Sequence, residues 1–320
     1  MALSSRIDVL VIGAGVSGLT TAVRMVDAGL SVRVLADRAP LETTSAVAGA
    51  SWGPYLVQDP RVLDWSERAR GVFEELAKNP ATGVRLLSGL EAAVDPTEPP
   101  SWARATADFR MCRAEELPAG YATGWRYTIP VVDMPRYLDS LTGRLADKGV
   151  SVEVGPAIEA FADVAAAARV LVNCSGLGAR RLVPDDGVYP TRGQLVVVEN
   201  PGIDSFFQDD VEGEDLTYIM PHGDHVVLGG SAIEGSEDLV PDRDTASAIV
   251  ERCADLVPAL RTARVLKHLV GLRPTRAQVR VERDSVFRTP LIHNYGHGGS
   301  GVTLSWGCAD EVLALSGLAG

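Results

Sequence analysis

The apolar run Ile7–Ile12 stops abruptly at Gly13-Ala-Gly-Val-Ser-Gly18, and beyond the glycines Leu19, Ala22, Val23 and Val26 recur at helical spacing until Gly29. Residues 31–36 form a second β-rich run that ends at Asp37. The first 37 residues therefore predict strand, glycine turn, helix, strand. From about residue 50 to 129 this rhythm degrades. Tryptophans at 52, 65, 102 and 125 and the turn Asp95-Pro-Thr-Glu-Pro-Pro100 predict a different domain, inserted. Helical spacing returns after Asp133, a predicted cap, through Leu138, Leu141 and Leu145 to Gly149. Strands are predicted at 150–154 and 169–173, the second running into Cys174-Ser-Gly-Leu-Gly178. Segments 194–199, 216–220 and 225–230, with polar and acidic loops between them, predict an antiparallel sheet. A helix over 245–256, a strand-like segment at 264–271, a glycine-rich turn and a last helix from about Ala309 complete the pattern.

A chain of 320 residues, 46% of them hydrophobic and 22% charged, has room for one large α/β unit or two interleaved domains. Its 30 basic and 42 acidic residues leave a net charge of −12, which repels phosphate backbones and argues against nucleic acid as a partner. Arg outnumbers Lys by 27 to 3, the usage of a GC-rich bacterial genome. Cys112, Cys174, Cys253 and Cys308 form no C-x-x-C pair and read as free, mostly buried thiols. Asp8 and three glycines interrupt the first apolar stretch, so neither a secretion signal nor a membrane span is predicted there.

The Gly13-x-Gly15-x-x-Gly18 pattern has a physical rationale: a tight turn at Gly13, close approach of a pyrophosphate at Gly15, and helix-on-strand packing at Gly18. The helix amino terminus then faces the anion. Asp37, 19 residues after Gly18 at the end of the next strand, is placed to bind ribose hydroxyls. The motif does not choose between FAD and NAD. Gly296-x-Gly298-x-x-Gly301 satisfies the same pattern, but the local sequence supplies no strand-to-helix context for it. In Val270-Gly-Leu-Arg-Pro-Thr-Arg276, Arg273 is suited to clamping a carboxylate bidentately, or to an ordinary ion pair. Tyr218 reads equally as a substrate ligand or a core tyrosine. His293 and His297, four apart in a glycine-rich stretch, have neither a helix face nor a third ligand to make a metal site, and His222 and His225 fare no better. Ser300 lacks the spacing of a nucleophile elbow, because position 302 is Val302.

Taken together, Val11 to Gly18, Ala36-Asp-Arg38, Thr43-Thr-Ser45, Ala48-Gly-Ala-Ser-Trp52, Asn173-Cys-Ser-Gly176, Arg192-Gly-Gln194, Gly271-Leu-Arg-Pro274 and the stretch His293 to Gly307 resemble the D-amino-acid oxidase family of flavoenzymes. The resemblance implies an α/β fold: a Rossmann-like FAD-binding domain (1–50, 131–190 and 268–320) with an interleaved α+β substrate domain (51–130 and 191–267) built on a mainly antiparallel sheet. It implies noncovalent FAD held at Gly13, Ala14, Gly15, Val16, Ser17 and Gly18, with Asp37 near the ribose and Arg38, Thr44 and Ser45 near the phosphates and flavin edge. Gly49, Ala50, Ser51, Ile158, Ser175, Gly176, Gly298, Gly299, Ser300, Gly301, Val302 and Thr303 are implied to line the cofactor.

Tyr218 and Arg273 fall where the family holds the substrate carboxylate, and Gly299 where a backbone carbonyl holds the amino group. The implied reaction is hydride transfer from Cα to the flavin, yielding a 2-oxo acid, ammonia and hydrogen peroxide from a D-amino acid and O2. This chain departs from vertebrate members at Gly53, where they carry glutamine, and at Glu214, where they carry a second tyrosine; its lid segment, 204–217, is shorter. Five acids within 209–215 predict a preference for neutral or basic D-amino acids if that segment borders the entrance; otherwise it is a solvated acidic loop. A D-aspartate oxidase is the nearest rival but would want an extra pocket cation. A glycine or amine oxidase comes next, and a nicotinamide dehydrogenase or a nonenzymatic nucleotide-binding protein would share only the first 37 residues. A cytoplasmic monomer or homodimer, without a membrane or nucleic-acid partner, is expected.

Overall fold

The computed structural model describes residues 7–55, 57–209 and 213–318. The chain opens as β1 (Ile7–Ile12), α1 (Val16–Asp27) and β2 (Val32–Ala36), as the hydrophobic pattern predicts. The segment between the Rossmann-like parts supplies β3 (Ala50–Ser51), α2 (Val62–Leu76), β4 (Val84–Ala93), α3 (Ser101–Arg104), β5 (Ala107–Met111) and β6 (Thr123–Val132). Next come α4 (Met134–Ala146), β7 (Val152–Val154), β8 (Ala168–Asn173), α5 (Ala179–Leu182) and β9 (Tyr189–Glu199). Asp133 caps α4 by accepting the Arg136 amide N–H. The remainder is β10 (Phe206–Asp209), β11 (Asp215–Pro221), β12 (His225–Ser231), β13 (Ile233–Glu234), α6 (Arg243–Leu256), β14 (Val265–Arg283), β15 (Leu291–His297) and α7 (Gly301–Ser316).

The strands join in the order β3-β6-β4-β10-β11-β12-β9-β14-β15-β8-β1-β2-β7. The end from β15 to β7 is parallel, with α1 making the crossover from β1 to β2. From β6 to β14 the pairing is antiparallel, apart from the parallel β4–β10 pair. The expected α/β class, with a Rossmann-like part and a mainly antiparallel part, is the observed architecture. The two parts share strands. β14 pairs with β9 through Thr275 and with β15 from Thr275 onward, so the expected division near residue 268 lies inside a 19-residue strand.

The carboxy-terminal part differs from the sequence expectation: β14 runs on to Arg283, well past the expected 264–271. The last helix begins at Gly301, eight positions before Ala309, because its sides are buried almost all round and it carries no amphipathic period to mark its start. Gly296-x-Gly298-x-x-Gly301 therefore lies between a strand and a helix after all. Gly307 lets α7 cross α2 closely: a Cβ there would stand 2.3 Å from the Trp65 carbonyl oxygen. Trp306 is fully buried on the same helix, and its indole N–H donates to the Tyr137 hydroxyl at 2.8 Å. Among the described residues, no helix is long and apolar enough to cross a membrane, and the four cysteines are unbonded thiols.

Removing the Tyr137 hydroxyl orphans the buried Trp306 N–H, a loss of about 1–3 kcal/mol. Tyr137→Phe is expected to lower the urea midpoint accordingly, with the denaturant slope unchanged.

Candidate functional site

Two cavities, of about 730 Å³ and 880 Å³, run along the seam between the parallel and antiparallel parts and share Thr44, Ala48, Arg273, Gly299 and Val302 as walls. The smaller is built on the first glycine turn. Gly13 has φ +110°, and a Cβ on it would stand 2.4 Å from the Cys174 carbonyl oxygen, so β1 and the end of β8 approach as only glycine allows. At Gly18 a Cβ would lie 1.9 Å from the Gly13 carbonyl oxygen, which is the helix-on-strand packing assigned to the third glycine. The amino terminus of α1 has no side-chain cap at Gly15, leaving first-turn N–H groups for an anion, while Ser45 Oγ accepts the Val16 N–H at 3.0 Å.

Ala14, Val16, Ser17, Asp37, Arg38, Thr44, Ser45, Ile158, Ser175, Gly176, Gly298 and Gly301 line this smaller cavity together with Gly13, Gly15, Gly299 and Val302. Neither Asp37 nor Arg38 makes a hydrogen bond or ion pair among the described residues, so a carboxylate and a guanidinium stand available at the end of β2. A narrow glycine-lined cradle, free helix N–H groups and an acid at the second strand end suit a dinucleotide.

Gly49, Ala50 and Ser51 line the larger cavity instead. Ser300 and Thr303 do not line either cavity; their hydroxyls pin the segment that does. Ser300 Oγ accepts the Tyr55 N–H at 2.6 Å and donates to the Tyr55 carbonyl at 2.7 Å, and Thr303 Oγ1 serves Gly53 in the same way. His297, which also lines the smaller cavity, bonds Asn294 at 3.0 Å through Nε2. His293 bonds Asp284 and Asn173. Among the described residues no group of His, Cys, Asp and Glu could hold a metal ion.

In the larger cavity Arg273 donates to the Ser231 carbonyl at 3.0 Å and has no carboxylate partner among the described residues. Its guanidinium lies against Gly193, where a Cβ would be 2.5 Å from Nη1. The Tyr218 ring occupies the space over Gly229, where a Cβ would be 1.9 Å from Cζ. Its hydroxyl has no hydrogen-bond partner among the described residues, and burial pushes the phenol up, partly offset by nearby Arg273, so it stays a donor.

Sequence reasoning did not single out Tyr55, Glu91 or Gln208. Burial pushes Tyr55 up to about 12, and its ring packs at Gly299, where a Cβ would stand 2.5 Å from Cδ1. Glu91, Gln208 and Tyr218 are register partners on β4, β10 and β11, side by side on one face of the sheet. The available signal was Glu91 itself, an acid in the otherwise apolar buried run Leu90 to Ala93. Of the five acids expected near the entrance, Asp209 reaches the wall, Glu214 is exposed and lines neither cavity, Asp215 pairs with Arg252 at 3.1 Å, and Asp210 and Glu212 lie outside the described residues.

The family model of FAD dependent oxidoreductases, DAO, matches residues 8–315. The chain belongs to that family. It is 48% identical to a D-amino-acid oxidase of Rubrobacter xylanophilus, over 97% of this chain and 96% of that protein. It is 45% identical to a D-amino-acid oxidase of Streptomyces coelicolor over the same shares, and 35% identical to human D-aspartate oxidase over 96% and 94%. The crystal structure of glycine oxidase from Geobacillus kaustophilus shares the fold, with TM-score 0.83 and 20% identity over 98% of this chain and 95% of that one. As a member of the family the chain is an FAD-dependent oxidoreductase.

Gly18→Ala drives a methyl into the Gly13 carbonyl and is expected to reduce the flavin-to-protein absorbance ratio at least tenfold under dialysis against dilute FAD. Burial lowers His297 from 6.5 to about 4. Between those values the unfolded chain binds a proton that the folded protein does not, so this group makes stability fall as pH drops through that window, by about 1.4 kcal/mol per unit. His297→Asn is expected to flatten urea midpoint against pH between 6.5 and 4.

Proposed function

We propose that the chain oxidises D-amino acids to 2-oxo acids, ammonia and hydrogen peroxide. The observation that carries this reading is Arg273: a guanidinium without a carboxylate partner among the described residues, beside a hydroxyl-bearing Tyr218, in the wall shared by the two cavities. Relatives at 48% and 45% identity that are themselves D-amino-acid oxidases support it. Gly13 to Gly18, Asp37, Arg38, Thr44 and Ser45 hold FAD, together with Gly49 to Ser51, Ile158, Ser175, Gly176 and the backbone of Gly298, Gly299, Gly301 and Val302, while Ser300 and Thr303 brace that backbone from behind. When bound, FAD supplies the two-electron acceptor for the substrate Cα–H and passes the electrons to O2.

Arg273 and Tyr218 fix the substrate carboxylate by charge-assisted and neutral hydrogen bonds, and the Gly299 carbonyl accepts from the amino group. Holding carboxylate and amine at two points of one wall leaves a single enantiomer with its Cα–H facing the smaller cavity. Tyr218 and Tyr55 both remain protonated, so they orient substrate without removing a proton from carbon. A D-aspartate oxidase would need a further cation for the second carboxylate. The other guanidinium of the larger cavity, Arg276, is already paired with Asp185 at 3.1 Å.

A peroxide-coupled assay of D- and L-enantiomers tests the reading; equal rates for the two forms would overturn it. Arg273→Ala is expected to raise KM about 10- to 150-fold, the loss of one charged hydrogen-bonding contact, with the flavin ratio unchanged. Tyr218→Phe should raise it only a few-fold.

A further inference from the structure

Asn173 closes β8 fully buried, beside its equally buried register partner His293 on β15. The Ser175 N–H donates to Asn173 Oδ1 at 3.1 Å, and the Ser175 hydroxyl donates to the same oxygen at 2.6 Å. A backbone N–H only donates, so the atom it meets on Asn173 is the oxygen, and the amide nitrogen is turned to His293 Nδ1 at 3.3 Å. That nitrogen also only donates, which makes Nδ1 the acceptor. The imidazole hydrogen is then on Nε2, facing Asp284 Oδ2 at 3.2 Å. Asp284, His293, Asn173 and Ser175 thus form one directed chain, from an acid in the turn after β14 to the wall of the smaller cavity.

The chain ends on the peptide against which the first glycine turn packs. A Cβ at Gly13 would stand 2.4 Å from the Cys174 carbonyl oxygen and 3.3 Å from the Ser175 nitrogen, whose hydrogen Asn173 accepts. Rotation of that peptide therefore disturbs the cradle. A neutral imidazole with a bare Nδ1 keeps it in place. A protonated ring sets an N–H against the Asn173 amide hydrogens, and a flipped Asn173 turns those hydrogens on the two Ser175 donors instead; either way donors face each other in a buried place. Burial, with Arg280 of β14, holds His293 below the ordinary imidazole value against the opposite pull of Asp284 and of Glu282 on β14, and the Tyr295 ring packs edge-on against it.

We propose that His293 and Asn173 are positioning residues for the cofactor: the neutral imidazole, acting through the Asn173 amide, holds the Cys174–Ser175 peptide in the form the dinucleotide cradle needs. This rests on the placement of FAD in the smaller cavity and is independent of which substrate is oxidised. Neither side chain lines a cavity, so both act through Ser175. With its N–H and its O–H both committed to Asn173, Ser175 offers only hydroxyl lone pairs. The group of FAD it can meet is a donor, a hydroxyl or an N–H rather than a phosphate oxygen.

Flavin release from the diluted holoenzyme, followed by the rise in flavin fluorescence, tests the relay. His293→Asn puts an amide oxygen near the place of Nδ1 and gives up Asp284, whereas His293→Gln reaches Asp284 and withholds the acceptor from Asn173. At neutral pH we expect release within threefold of the unaltered protein for His293→Asn and at least tenfold faster for His293→Gln. Equal rates in the two variants would overturn the inference; so would the reverse order, which assigns His293 to the turn at Asp284 alone. Asn173→Asp gives a readout that packing by itself does not move. Its carboxylate still accepts from Ser175 but demands a protonated His293, so its release should slow, relative to the unaltered protein, as pH falls from about 8 to about 5.5, where histidine titrates. Parallel pH profiles overturn the relay. Fast release in Gly18→Ala with normal release in His293→Gln defeats the relay alone; normal release in Gly18→Ala defeats the placement of FAD beneath it.

Discussion

Everything at this site depends on β14 changing partners at Thr275. Up to that residue the strand belongs to the antiparallel sheet through β9; beyond it, it belongs to the parallel sheet through β15. Arg273 stands two residues before the change and lines both cavities. A single continuous strand thus sets how far the guanidinium lies from the glycine turn of β1. Backbone hydrogen bonds on both flanks hold that spacing more firmly than a loop or linker between separate domains could.

Glycine serves this seam in two distinct ways. At Gly13 and Gly18 its absent side chain lets backbone meet backbone, which brings β1, α1 and the end of β8 together into a cradle. At Gly193 and Gly229 it makes room for the side chains of Arg273 and Tyr218 to lie over the sheet, where both line the larger cavity. The hydroxyls of Ser300 and Thr303 complete the arrangement from behind by fixing the backbone at Tyr55 and Gly53.

Much of this was legible in the amino-acid order. The opening strand, turn, helix and strand have local causes, and β1 and α1 follow the 2.0 and 3.6 residue periods that reveal them. Asp37 could be placed from spacing along those elements. The start of α7 could not, because a helix buried on nearly all sides has no polar face to betray its period. Nor could the far half of β14, where Pro274 and the charged residues Arg276, Arg280, Glu282 and Arg283 hide a strand that pairing with β15 stabilises. Ser300 and Thr303 sit in a cofactor-like glycine context, yet their side chains point toward the 53–55 segment, a direction that only packing decides.

Amino-acid order alone sets the local chemistry: a glycine cradle at a helix amino terminus, an acid after the second strand, four separate thiols, and an arginine held between an apolar residue and a proline. Those features depend on neighbours within a few residues, so order alone specifies them. Which of these groups meet is set by pairing and packing across the sheet. Register across β4, β10 and β11 sets Glu91 beside Gln208 and Tyr218 although they are 117 and 127 positions away along the chain. The strand shared by both sheets brings Arg273 to the same wall. Pairings at such separation arise from burying two sheets along one seam, and no short-range pattern in the chain encodes them.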